Sequence, residues 1–123
     1  MTNKLRRQQL PKSEDWRYVG TAGQPAFENS WINKYNTHPR CAFYKDAYGL
    51  VHLKGLVGDG TVDTDIFTLP VGYRPLESTH HIIVGSQDNP VCSVHIYNDG
   101  RVHQRTGDTV WLSLDGVRFR GDQ

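Results

Sequence analysis

Hydrophobic positions along this chain come in short alternating runs, and those runs predict strands rather than helices. In residues 16–19, Trp16 and Tyr18 fall on one side, Arg17 and Val19 on the other. Residues 20–24 break that strand, and the stretch holding Phe27 and Trp31 reads as an irregular, partly buried connection. Residues 41–57 read as a hairpin with the three-residue loop Ala47-Tyr48-Gly49. That loop pairs Phe43 with Leu53 on the core face and Tyr44 with His52 on the other. Ile66, Phe67 and Leu69 make a short apolar strand that ends at Pro70, which has no N–H for a ladder. A corner follows. Valine resists the second central position of a type II turn. The path is therefore predicted extended through Pro70 and Val71, with Gly72 alone at positive φ and Tyr73 and Arg74 leading to Pro75.

Residues 79–86 predict a further strand, with His80 and His81 on opposite faces, one exposed and one partly buried. Residues 91–105 predict a hairpin around Asn98-Asp99-Gly100, because Val94, Ile96 and Val102 must share the core face. Its register pairs Ile96 with Val102, His95 with His103 and Ser93 with Arg105. Residues 110–119 predict a last hairpin turning at Asp115-Gly116. There Val110, Leu112, Leu114, Val117 and Phe119 share the apolar face, and Trp111 points outward and needs a cover. Short strands with glycine-rich turns give an all-β fold, an antiparallel β-sandwich, over residues 16–123.

Residues 1–15 differ. They are basic and hold few apolar side chains, too few to offset the entropy of ordering, so they read as a flexible arm. Two uses are open for it, a solvated tail or a docking peptide carrying Lys4, Leu5, Arg6, Arg7 and Leu10. With 123 residues the chain suits one domain whose modest core favours association. A net charge of +1 selects neither nucleic acid nor an anionic membrane as partner. No apolar run approaches the roughly 20 residues of a membrane helix, and nothing predicts a secreted precursor.

The search for chemistry finds no serine elbow, no HExxH pair and no phosphate loop, so no enzyme and no cofactor are expected. Cys41 and Cys92 form no CxxC pair and read as buried thiols. Metal is not expected either, although His95 beside His103 leaves two readings, ligands to a divalent ion or a solvated or interfacial pair. Trp31, Tyr35, His38 and Arg40 are open between a sugar-facing platform and packing at a sandwich edge. The outward candidates for ligand or subunit contact are Tyr44, His52, His95, Tyr97, His103, Arg105 and Trp111, with Tyr73 and Arg74 at the corner.

Five stretches carry a resemblance. They are WRYVGTAGQPAFENSW (16–31), FYKDAYGLVHLKGLVGDGT (43–61), IFTLPVGYRP (66–75), VHIYNDGRV (94–102) and VWLSLDGVRF (110–119). In this order the chain resembles the C-terminal β-structured head domains of bacteriophage and prophage tail-fibre, receptor-binding proteins. The resemblance implies a jelly-roll-like head, a homotrimer, a place in the virion, and host cell-wall or surface polysaccharide as ligand. It implies manufacture in a reducing bacterial cytoplasm, which disfavours a disulfide. It also favours the docking use of residues 1–15, on other virion proteins. Almost no shaft precedes the head, unlike a long fibre. A capsid- or tail-attached fibre, decoration or adaptor part without receptor binding is therefore the alternative.

Overall fold

The computed structural model describes residues 13–86, 88 and 90–123. The arm candidates Lys4, Leu5, Arg6, Arg7 and Leu10 lie outside the described residues. The strands are β1 (Arg17–Tyr18), β2 (Ile32–Asn33), β3 (Ala42–Lys45), β4 (Leu50–Lys54), β5 (Leu56–Gly58), β6 (Asp65–Thr68), β7 (Thr79–Val84), β8 (Val91–Ile96), β9 (Arg101–Thr106), β10 (Leu112–Ser113) and β11 (Arg118–Arg120). All named pairings are antiparallel. They form a sheet β1-β3-β4-β11, a smaller sheet β10-β5-β2, and a sheet β6-β9-β8-β7. The result is an antiparallel sandwich. Its core joins the layers: Phe43 of β3 stacks on Phe67 of β6 at 5.9 Å, and Tyr73 meets Phe43 edge-on at 5.2 Å.

Alternation put the right side chains inside. Phe43, Leu53, Ile66, Phe67, Leu69, Val94, Ile96, Val102, Leu112 and Leu114 are all buried. Phe43 pairs with Leu53 and Tyr44 with His52, as the loop length requires. Trp31 is core, 1% exposed, with its indole N–H donated to the Thr64 hydroxyl at 3.0 Å, so it forms no platform with Tyr35, His38 and Arg40. Cys41 and Cys92 are both fully buried, and burial pushes the pKa of each thiol up.

The corner turns one residue later than a Pro-Gly turn would. The Tyr73 N–H donates to the Pro70 carbonyl at 3.1 Å, which makes Val71 and Gly72 the central pair. Gly72 has φ +100° and takes the position that needs it, so Val71 is spared. The strand at 79–86 ends at Val84.

Three expectations are corrected. In the 91–105 hairpin, Ile96–Val102 and His95–His103 hold, but Ser93 faces Thr106 instead of Arg105. A bulge absorbs one residue there, next to Gln104, which is fully buried. Its amide accepts from the Asp63 N–H at 2.7 Å and donates to the Gly107 carbonyl at 3.1 Å.

The run 51–57 is not one strand. Gly55, at φ +124°, kinks it into β4 and β5. A Cβ on Gly55 would sit 2.4 Å from the Cys41 Cα, so only glycine lets the two backbones approach.

Residues 110–119 are not a hairpin. Leu112 pairs with Val57 and Ser113 with Leu56, while Arg118, Phe119 and Arg120 pair with His52, Val51 and Leu50. The segment thus follows 50–57 in reverse, and the expected turn at Asp115-Gly116 is present, closed by the Val117 N–H on the Leu114 carbonyl at 3.2 Å, but lies opposite the kink rather than between paired strands. Asp115 Oδ1 accepts the Gly55 N–H at 2.8 Å there, and the Gly55 carbonyl accepts from Leu114 at 2.8 Å. Val110, expected inside, is 46% exposed.

Candidate functional site

The structure sorts the sequence candidates into four places. Tyr44 and His52 lie on the outer face of β1-β3-β4-β11. Register sets Arg118 beside His52 and His52 beside Tyr44, and the Trp16 ring meets Tyr44 edge-on at 4.5 Å. A row Trp16, Tyr44, His52, Arg118 therefore crosses the sheet. Tyr44 and His52 stack at 4.8 Å. His52 Nε2 bonds Asp46 Oδ2 at 2.8 Å, and this contact leads those that hold the Asp46 carboxyl below its ordinary value. Beside the row, Lys54 Nζ lies 4.6 Å from the Trp16 ring centre and 5.0 Å from that of Tyr18, and Arg40 covers Tyr18 at 4.4 Å. Among the described residues, the Trp16 indole N–H, the Tyr44 hydroxyl, His52 Nδ1 and the Arg118 guanidinium have no hydrogen-bond partner.

His95, Tyr97, His103 and Arg105 lie on the outer face of the other large sheet. Register carries a row His80, His95, His103, Asp65 across its four strands. His80 stacks on His95 at 3.9 Å. His103 is held at both ring nitrogens, Nδ1 to Asp65 at 2.6 Å and Nε2 to Asp63 at 2.8 Å. Arg105 donates to Asp63 at 3.0 Å, and Arg101 donates to Asp99 at 3.0 Å while covering the Tyr97 ring at 4.3 Å. Here the charged groups are spent on one another. Among the described residues, no three His, Cys, Asp or Glu side chains come together as metal ligands.

Tyr73 and Arg74 are turned to the inside of the corner. The Tyr73 hydroxyl donates to Glu14 at 2.8 Å, and Arg74 Nε donates to the Leu69 carbonyl at 2.8 Å. Glu14 also accepts from Arg17 and from the Lys45 N–H, each at 2.9 Å. Burial raises the Glu14 pKa, but these hydrogen bonds outweigh it and hold the carboxyl below its ordinary value. Trp111 is half-buried and directly precedes β10.

Sequence reasoning missed Trp16 and Arg118. Alternation put Trp16 with Tyr18 on one side of the first strand, but only the pairing of β1 and β11 with the central hairpin sets Trp16 and Arg118 in the Tyr44–His52 row.

No family model and no curated protein matches the chain. Among solved structures, the crystal structure of the receptor binding protein of Listeria phage PSA is similar, with a TM-score of 0.74 and 16% identity. The match covers 99% of this chain and 73% of that one. The two share a fold. At this identity the likeness speaks to the fold alone.

Proposed function

We propose that the chain is the receptor-binding head of a phage particle and binds a host cell-surface glycan on the outer face of β1-β3-β4-β11. The reading rests on one observation: four polar groups without protein partners stand in a row against aromatic rings. A sugar presents apolar C–H patches to rings and hydroxyls to such groups, which suits this mixture. The likeness in fold to a phage receptor binding protein supports the setting. The proposed act is binding alone, with no catalytic step.

An array of bacterial surface glycans tests it. The parent protein is expected to bind at least one glycan, and Tyr44→Ala and Arg118→Ala to weaken it at least tenfold. His103→Ala, on the other sheet, is expected to bind as the parent does. Loss with His103→Ala and retention with Tyr44→Ala would move the site to the other face.

A second reading has a structural motive of its own. The Gln123 backbone exchanges bonds with Arg74 at 2.7 and 3.0 Å, and Glu14 bonds Tyr73. Both described ends of the chain thus meet the same corner. A fibre, decoration or adaptor part docked there through residues 1–12 needs no receptor site.

A further inference from the structure

Two edge strands face each other across a groove. β7 ends one sheet and β11 another, and no ladder joins them. The seam between them is tied at both ends. At one end the Arg74 and Gln123 backbones exchange bonds at 2.7 and 3.0 Å, and at the other the Ser86 N–H donates to the Trp111 carbonyl at 3.1 Å. Between these ties, His80, Ile82 and Val84 line one wall and Asp115, Arg118 and Arg120 the other. The buried Ile83, Val117 and Phe119 form an apolar floor. Hydrogen bonding sets which backbone groups look into the groove. The Gly85 N–H donates to Pro90 at 2.7 Å, so odd-numbered residues of β7 bond β8, and the N–H and C=O of His80 and Ile82 point away from it. Across the groove, Leu53 donates to the Val117 carbonyl and Gly121 to that of Gly49, each at 2.9 Å. The backbone groups of Arg118 and Arg120 therefore point away from β4. β7 carries no proline, lysine or bulge that would blunt a free edge.

We propose that an extended segment of a different protein lies in this groove as an added strand on β7. A backbone is the chemistry that this edge selects. His80 and Ile82 present donor and acceptor pairs about 6.6 Å apart, the two-residue repeat of a strand, and a second backbone matches both. A sugar offers its hydroxyls at no such repeat. A second copy meets a different obstacle. Its own β7 edge is recessed beside Ser113–Val117 in the same way, and two recessed edges do not reach each other. A single strand does reach. β7 is six residues long, so the ladder spans about 20 Å. The strand carries no Asp, Glu, Lys or Arg, and its Ile82 and Val84 are 75% and 62% exposed. The segment that fits therefore has β-branched or aromatic side chains at alternate positions, one set beside Ile82 and Val84 and the other over Val117 and Phe119. Proline is excluded where its missing N–H would leave a bond unmade.

Neither His80 nor Ile82 belongs to the row proposed for glycan, so the test needs no glycan. A displayed library of random peptides, each about twice the six residues of β7, is selected on the full chain. The selected peptides are expected to show the alternation above and to bind in fluorescence polarisation. Ile82→Pro removes an N–H that faces the groove and spares the ladder to β8. It is expected to keep the parent's circular dichroism and to weaken binding about tenfold or more. Ile82→Val keeps the N–H and is expected to bind as the parent does. Amide exchange in the unaltered protein reads the same bonds without a variant. Bound peptide is expected to slow His80 and Ile82 and to leave His81 and Ile83, already bonded to β8, unchanged. Absence of any binder, a folded Ile82→Pro that binds as the parent does, or His80 and Ile82 amides that exchange as before each overturn the proposal. Slowing of those two amides in the protein alone as its concentration rises gives the edge to a second copy and overturns it equally.

Discussion

His95 shows what the environment of one residue does. Burial comes first, and then the electrostatic influence of His80, Arg105 and His103, in lowering its affinity for a proton below the ordinary value of 6.5, with Asp63 opposing. His81, half-buried against Phe119 on the other face of β7, is lowered too, by burial first and then by His80 and His95. The sign follows by linkage. As pH falls below about 6.5 the unfolded chain takes up protons that the folded rings resist. The stability these rings contribute is therefore full above that pH and is lost as pH falls toward the folded values. The melting temperature is expected to drop between about pH 7.5 and about pH 5.5. In a His81→Gln, His95→Gln double variant the drop should be smaller. A variant with the parent's profile would mean that other groups carry the acid sensitivity. At this scale the sequence was legible where one hairpin sufficed: Tyr44 faces His52, and His95 faces His103, because loop length alone set each register. It was not legible where a distant strand decides. Gln104 occupies a core position by alternation, yet nothing local announces that residues 63 and 107 supply its hydrogen bonds.

Among the elements, the kink at Gly55 had the largest consequence. A run reading 51–57 looks like one strand, since the apolar spacing continues through the glycine. Backbone crowding against Cys41 bends it instead, and the segment 112–120 bends with it. The Asp115-Gly116 pair then mimics a hairpin signature while serving a kink, because the partners of 112–120 lie about sixty residues upstream. Gly55 and Gly72 separate two costs of adding a side chain. Gly72 has φ +100° but nothing within 4 Å of a Cβ, so Gly72→Ala carries only the backbone penalty, about 1–2 kcal/mol. Gly55 has φ +124° and would set its Cβ into backbone, which cannot rotate away. Gly55→Ala should lose more than about 4 kcal/mol, in the range reserved for specific structural damage. Urea denaturation of the two variants beside the parent measures both. Equal losses would show that the approach to Cys41 relaxes.

For the whole molecule, the question is which side holds on and which side reaches out. Glu14 is latched to Tyr73, Arg17 and Lys45, and Gln123 to Arg74, so the described ends both sit at the Pro70–Pro75 corner. The row of Trp16, Tyr44, His52 and Arg118 lies on the flank of one layer, and the exposed Ile82, Val84 and Val91 lie on the flank of the other. A head attached at the corner would keep both flanks free. Deleting residues 1–12 separates these roles, because it spares Glu14 and its bonds. The truncated protein is expected to melt with the parent, to keep the parent's mass in light scattering and to bind the same glycan, but to be absent from assembled particles. A lowered melting temperature would mean that these residues pack on the domain. Normal incorporation would refute docking through them, and attachment would then have to come from the corner itself, where a substitution such as Glu14→Ala would release the latch.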